Sequence, residues 1–78
     1  MNKEEFLKKH GFVFIRSIEG ADGLNMTYRK KGFEVDEYFL NDRGYICYLL
    51  SKGTHVLDVA PLEVENDFSS FDEYLSSL

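Results

Sequence analysis

The sequence predicts an α+β fold: a single small domain, residues 1–78, built as α-β-β-β-β-β-α, an antiparallel four- to five-stranded meander sheet flanked by an N-terminal and a C-terminal helix. Three observations carry this. Each end of the chain holds a capped amphipathic segment. Between them lie five runs rich in β-branched and aromatic residues. The connections between those runs are only a few residues long, too short for a crossover helix, so neighbouring strands must be antiparallel. A 44% hydrophobic content with seven Phe and five Tyr supplies the core that so short a chain needs.

The N-terminal helix is expected over 3–10. Asn2 stands three residues before Glu5 as a capping box, Glu4 and Glu5 precede Lys8 and Lys9 by four, and Gly11 provides the stop. Phe6, Leu7 and His10 form its inward face. Phe12 to Ile18 reads as a strand apolar on both faces, which suits burial from two sides. Asp22-Gly23 favours a hairpin turn with positive φ. Leu24, Met26 and Tyr28 then alternate with Asn25, Thr27 and Arg29 as a half-buried strand, and Lys30-Lys31-Gly32 forms the next turn.

Phe33 to Leu50 is the richest stretch, two strands around Asn41-Asp42-Arg43-Gly44. A bulged three-residue loop with Gly44 left-handed would pair Leu40 with Ile46, Tyr38 with Tyr48 and Asp36 with Leu50. Ser51-Lys52-Gly53 is a further turn and Thr54 to Ala60 a fifth strand, ended by Pro61 because proline cannot donate to a ladder. Leu62 to Glu65 alternates as a short extension. A second capping box, Ser70 with Glu73, opens a helix over 69–77 whose apolar stripe is Phe71, Tyr74, Leu75 and Leu78.

Composition narrows the function. No apolar run reaches the 18 residues of a membrane span, the N-terminus lacks the apolar core of a secretory signal, and Cys47 is the only cysteine. A cytoplasmic location is the expectation. The net charge is −5, unevenly spread. Residues 1–52 carry nine Lys/Arg and eight Asp/Glu, whereas residues 53–78 carry six acids and no Lys or Arg. That balance opposes phosphate binding, so Tyr28-Arg29-Lys30-Lys31 is read as a solvated turn and direct nucleic-acid contact is not expected.

No catalytic or cofactor motif is present. His10 and His55 stand far apart without metal-ligand spacing. Asp36 and Glu37 point to opposite faces of a strand. Glu34 and Asp36 share a face, as do Glu63 and Glu65, but no base or nucleophile converges on them. Cys47 sits mid-strand as a small hydrophobe, the six serines show no nucleophile elbow, and no phosphate-cradling glycine loop occurs. The expectation is a non-enzymatic module with no cofactor and no metal.

What remains is recognition by surface. Aromatics interleaved with carboxylates can anchor on a protein partner and steer toward a basic surface, that of a nucleic-acid-binding enzyme included. The candidate partner-binding residues are Glu34, Asp36, Glu37, Tyr38, Asp42 and Tyr45 on the hairpin, with Glu63, Glu65 and Asp67 before the last helix. In size, acidity and layout the chain resembles the small phage-encoded inhibitors of host defence, anti-CRISPR proteins among them. Its ending, Asp67 to Leu78, is similar to the closing helix of a family of toxin-immunity proteins. These likenesses imply an inhibitor acting by protein contact. Rival readings are an immunity or housekeeping regulatory domain, a homodimer burying its open sheet face, and a small enzyme or metal binder.

Overall fold

The computed structural model describes residues 1–42, 45–61 and 67–78, the side chains at 45, 46 and 58–61 excepted. Its elements run α1 (Lys3–His10), β1 (Val13–Glu19), β2 (Gly23–Lys30), β3 (Phe33–Leu40), β4 (Tyr45–Lys52), β5 (His55–Pro61) and α2 (Ser69–Ser76). The five strands form one open antiparallel sheet in sequence order, β1-β2-β3-β4-β5. This is the α+β meander that the sequence predicts.

Local chemistry explains most boundaries. Asn2 accepts the Glu5 amide on its side-chain oxygen at 2.9 Å, and Gly11 ends α1 at φ 76° with its amide returned to the Leu7 carbonyl. The β2–β3 turn is the two-residue kind, with Lys31 at φ 30° and Gly32 at φ 88°. Positive φ at both positions matches the twist of the flanking strands, and glycine takes the larger value without Cβ strain.

Gly23 differs from the expectation. It is not a positive-φ turn residue but the first residue of β2. A Cβ there would stand 1.7 Å from the Phe39 carbonyl oxygen, so close approach of the β3 backbone requires the glycine. At α2, Ser70 does not cap. Asp67 accepts the Ser69 amide at 3.0 Å and the Ser69 hydroxyl as well, and the helix begins at Ser69, two residues before a Ser70 cap would start it.

Both helices pack on one sheet face. Phe6 and Phe12 from the α1 end and Phe68 and Phe71 from the α2 end meet Tyr28, Val35, Tyr48 and Leu50 from β2, β3 and β4. Phe6 is central, its ring 4.9 to 6.0 Å from those of His10, Phe12, Phe68 and Phe71. Tyr48 meets Phe68 edge-on at 4.5 Å. Across the helices, Asp72 takes Lys9 at 2.8 Å and His10 at 2.7 Å.

The register of the central hairpin is one residue from the expected one. Tyr38 pairs with Cys47, Asp36 with Leu49 and Leu40 with Tyr45. Four residues, 41–44, separate β3 from β4, and the expected left-handed Gly44 lies outside the described residues. A one-residue slip exchanges faces. Tyr48 and Leu50 therefore join Val35 beneath the helices, and Cys47 and Leu49 join Tyr38 and Asp36 on the other side. Burial is the physical reason: this register puts Tyr48 and Leu50 into the aromatic core, where the expected one would put Cys47 and Leu49.

The expectation that β1 is buried from two sides is overturned. All seven of its residues are exposed, and only Phe12, just before it, is buried. β1 is an edge strand, and the helices lie over β2, β3 and β4, with α2 also reaching β5. Its apolar residues on both faces therefore do not signal an interior position.

Candidate functional site

The face away from the helices is set by strand parity. Asn25, Thr27 and Arg29 of β2 stand beside Tyr38, Asp36 and Glu34 of β3, which stand beside Cys47, Leu49 and Ser51 of β4. On the β1 side, Ile18, Arg16 and Val13 lie opposite Asn25, Thr27 and Arg29. Among the described residues, no element packs over this surface.

Its charges are largely matched internally. Arg29 holds Glu34 through Nε at 3.0 Å and Nη2 at 2.6 Å. Thr27 is fully buried and donates its hydroxyl to Asp36 at 2.7 Å. Asn25 donates to the Glu37 carbonyl at 3.1 Å. Burial, then the nearby Asp36 carboxylate, pushes the Tyr38 phenol up from its ordinary value. Burial pushes the Cys47 thiol up as well, which opposes formation of a nucleophilic thiolate.

Toward the end where β1 turns into β2, this face opens into a shallow apolar groove of about 220 Å³, lined by Ile18, Gly23, Asn25, Tyr38 and Leu40 among others. Exposed Glu19, Asp22 and Asp42 lie within two residues of lining positions, and the Asn41 amide ties the two turns together by donating to the Asp22 carbonyl at 2.8 Å.

The nine candidate residues do not form one surface. Tyr38 and Asp42 belong to the groove end, while Glu34 lies near the opposite end of β3 and is held by Arg29. Glu37 faces the helices, where Lys3 binds it at 2.9 Å. Asp67 is at the start of α2, where the Ser69 hydroxyl and then the Ser69 amide hold its carboxyl below the ordinary range. The side chain of Tyr45, and Glu63 and Glu65 entirely, lie outside the described residues. Ile18, Leu40 and the glycine at 23 were not singled out from the sequence. Their signal is positional, since it depends on which strand is outermost and on the hairpin register.

A second polar cluster lies under α1. Lys3 binds Glu37, and Tyr48 also hydrogen-bonds Glu37. Burial alone pulls Lys3 down, but the hydrogen bond and charge of Glu37, followed by Tyr28, outweigh it and hold Lys3 above its ordinary value. Burial, then the Glu37 charge, pushes the Tyr48 phenol far up. Opposite in sense, the Lys9 and then the His10 hydrogen bonds hold Asp72 below the usual carboxylate range.

The signs set a pH profile. Asp67 and Asp72 bind protons less readily folded than unfolded, so their stabilisation is complete above the ordinary value near 3.8 and fades as pH falls below it. Lys3 and Tyr48 hold their protons more tightly folded than unfolded. Their contribution is complete below their ordinary values of 10.5 and 10.0 and is lost as pH rises past them. The melting temperature is expected to fall below about pH 4 as Asp67 and Asp72 protonate and above about pH 10 as Lys3 and Tyr48 lose their protons. Tyr48→Phe should lessen that alkaline fall, as followed by circular dichroism.

Among the described residues, no group of three His, Cys, Asp or Glu could hold a metal ion, and no helix is long and apolar enough to cross a membrane. No protein-family model, curated protein or solved structure matches the chain.

Proposed function

We propose that the protein is a small acidic non-enzymatic binding module that inhibits a partner by occluding its basic, nucleic-acid-binding surface. The observation that carries this is the groove on the uncovered face, apolar in its lining, with exposed Asp22 and Asp42 in the turns next to its lining residues Gly23 and Leu40. Such a site takes an apolar anchor from the partner while the carboxylates attract surrounding Lys and Arg. Tyr38 is the side chain that offers both a ring and a hydroxyl there. The −5 net charge raises the encounter rate with a basic surface. Glu34 and Asp36 contribute less, because Arg29 and Thr27 already engage them.

The test is competition. The chain is titrated into complexes of DNA with the heparin-retained proteins of a cell lysate, and displacement of DNA is read by fluorescence anisotropy. Displacement that weakens with salt, and by about tenfold or more in the double variant Asp22→Lys, Asp42→Lys, supports the proposal. Displacement indifferent to both salt and charge reversal would remove the electrostatic mechanism, and no displacement at all would remove the occlusion.

A further inference from the structure

The outer edge of β1 is a second surface, which shares only Ile18 with the groove. Val13 is 60% exposed, Phe14 55% and Ile18 54%, with Ile15 also exposed. The strand has unpaired backbone groups along one side because it ends the sheet, and among the described residues nothing covers that edge. It contains no proline and no lysine, two of the usual protections of an edge. What it does contain is a register irregularity between Phe14 and Arg16, leaving Arg16 to Glu19 as the regular stretch.

We propose that β1 pairs antiparallel with β1 of a second copy of this chain, with Ser17 on the twofold axis, joining the two sheets into one. Three observations select this occupant, independently of the partner argued above. First, the strand is locally neutral, with Arg16 balanced by Glu19. A strongly basic partner therefore gains little there, whereas a copy of the same strand is not repelled.

Second, sheet order puts β1 and β5 at opposite edges. The six acids of residues 53–78 belong to β5, α2 and the segment between them. Two copies meeting through β1 join at the edges farthest from β5, which limits like-charge repulsion between chains of charge −5. Third, the register is self-consistent. Residues directly opposite in an antiparallel pair point to the same face. Centring on Ser17 sets Arg16 against Ile18 of the second copy, and these two residues share a face of β1. Centring on Arg16 would oppose two guanidinium groups and is disfavoured.

An interface built on one strand offers far fewer than the roughly 20–30 residues a side of a standard complex. The expected affinity is accordingly weak, with a dissociation constant on the order of tens to hundreds of micromolar.

Sedimentation equilibrium of the full chain from about 10 µM to 1 mM reads it, a range set to bracket that affinity. The apparent mass should rise from 9.1 kDa toward twice that value. Ser17→Lys puts a cation against its own copy and should weaken association at least about tenfold. Because Ser17 is exposed, the melting temperature should stay unchanged. In a Cys47→Ala background, Ser17→Cys should oxidise to a disulfide-linked dimer, since directly opposed strand residues stand about 4.5–5.5 Å apart. A mass of 9.1 kDa throughout would overturn the proposal. So would association that survives Ser17→Lys but is lost in Tyr38→Ala, which would put the contact on the uncovered face. Displacement of DNA is read on the groove's own variants, Asp22→Lys and Asp42→Lys, which lie outside β1, so this proposal and the groove's role fail separately.

Discussion

Phe6→Ala should be the most damaging single truncation in the chain, costing about 3–5 kcal/mol. Phe6 is fully buried and its ring lies among four others, including two from the α2 end that hold the helices together. Loss of the ring removes apolar burial and leaves a cavity walled by other aromatic rings, which cannot all collapse inward. A domain of this length has roughly 4–12 kcal/mol in all, so the variant should be unfolded or nearly so near 37 °C. Its melting temperature should drop by about 15 °C or more. Phe14→Ala is the contrast, because Phe14 is more than half exposed and touches Tyr28 edge-on at 5.8 Å. It should cost about 1 kcal/mol or less. Urea denaturation followed by circular dichroism ranks the two. Equal costs would mean that the aromatic cluster is not the organising core.

The second large effect is expected at Glu37. Glu37→Ala should destabilise by about 2–4 kcal/mol, because it strands the Lys3 ammonium and removes an acceptor from Tyr48 in a poorly solvated place. The Lys3 and Glu37 side chains are only 27% and 12% exposed. Lys3→Met with Glu37→Leu should recover all but about 1 kcal/mol, since a well-packed apolar pair avoids the desolvation that the ion pair carries. The double-mutant cycle measures this coupling directly. Strictly additive losses would show that Lys3 and Glu37 act separately. In the sequence Glu37 reads as a carboxylate available to a partner. Its position under α1 instead makes it a structural residue.

Local rules made much of the architecture legible. Asn2, Glu5 and Gly11 announce α1 because caps act within one turn. Lys31-Gly32 announces the two-residue turn because positive φ is a single-residue property. Five short-looped β runs leave an antiparallel meander as the simple solution, and that is the observed order. The opposite facing of Asp36 and Glu37 also follows from strand geometry alone.

The failures share a cause, which is dependence on partners distant in sequence. Phe12 to Ile18 looks like an interior strand, since apolar residues on both faces fit either an interior position or an exposed edge. Asp22-Gly23 suggests a turn, but Gly23 answers to the Phe39 carbonyl across the sheet. Ser70 and Glu73 have capping-box spacing, yet Asp67 reaches the Ser69 amide first.

The sequence by itself determined the place of the two helices and the cap of α1, the antiparallel meander of four to five strands, the turn at Gly32 and the acidic bias of residues 53–78. Each depends on φ preferences, side-chain period or formal charge, and needs no knowledge of distant contacts. Only the tertiary structure decided which face each residue of the central hairpin occupies, which strand became the exposed edge, and which carboxylates are already bound. The facing of the hairpin residues turns on a one-residue register that burial of Tyr48 and Leu50 under Phe68 and its neighbours selects, whereas β1 is an edge because it comes first in the meander. The same selection brings Tyr38 to the groove and Glu37 to Lys3, because adjacent residues of a strand must face opposite ways.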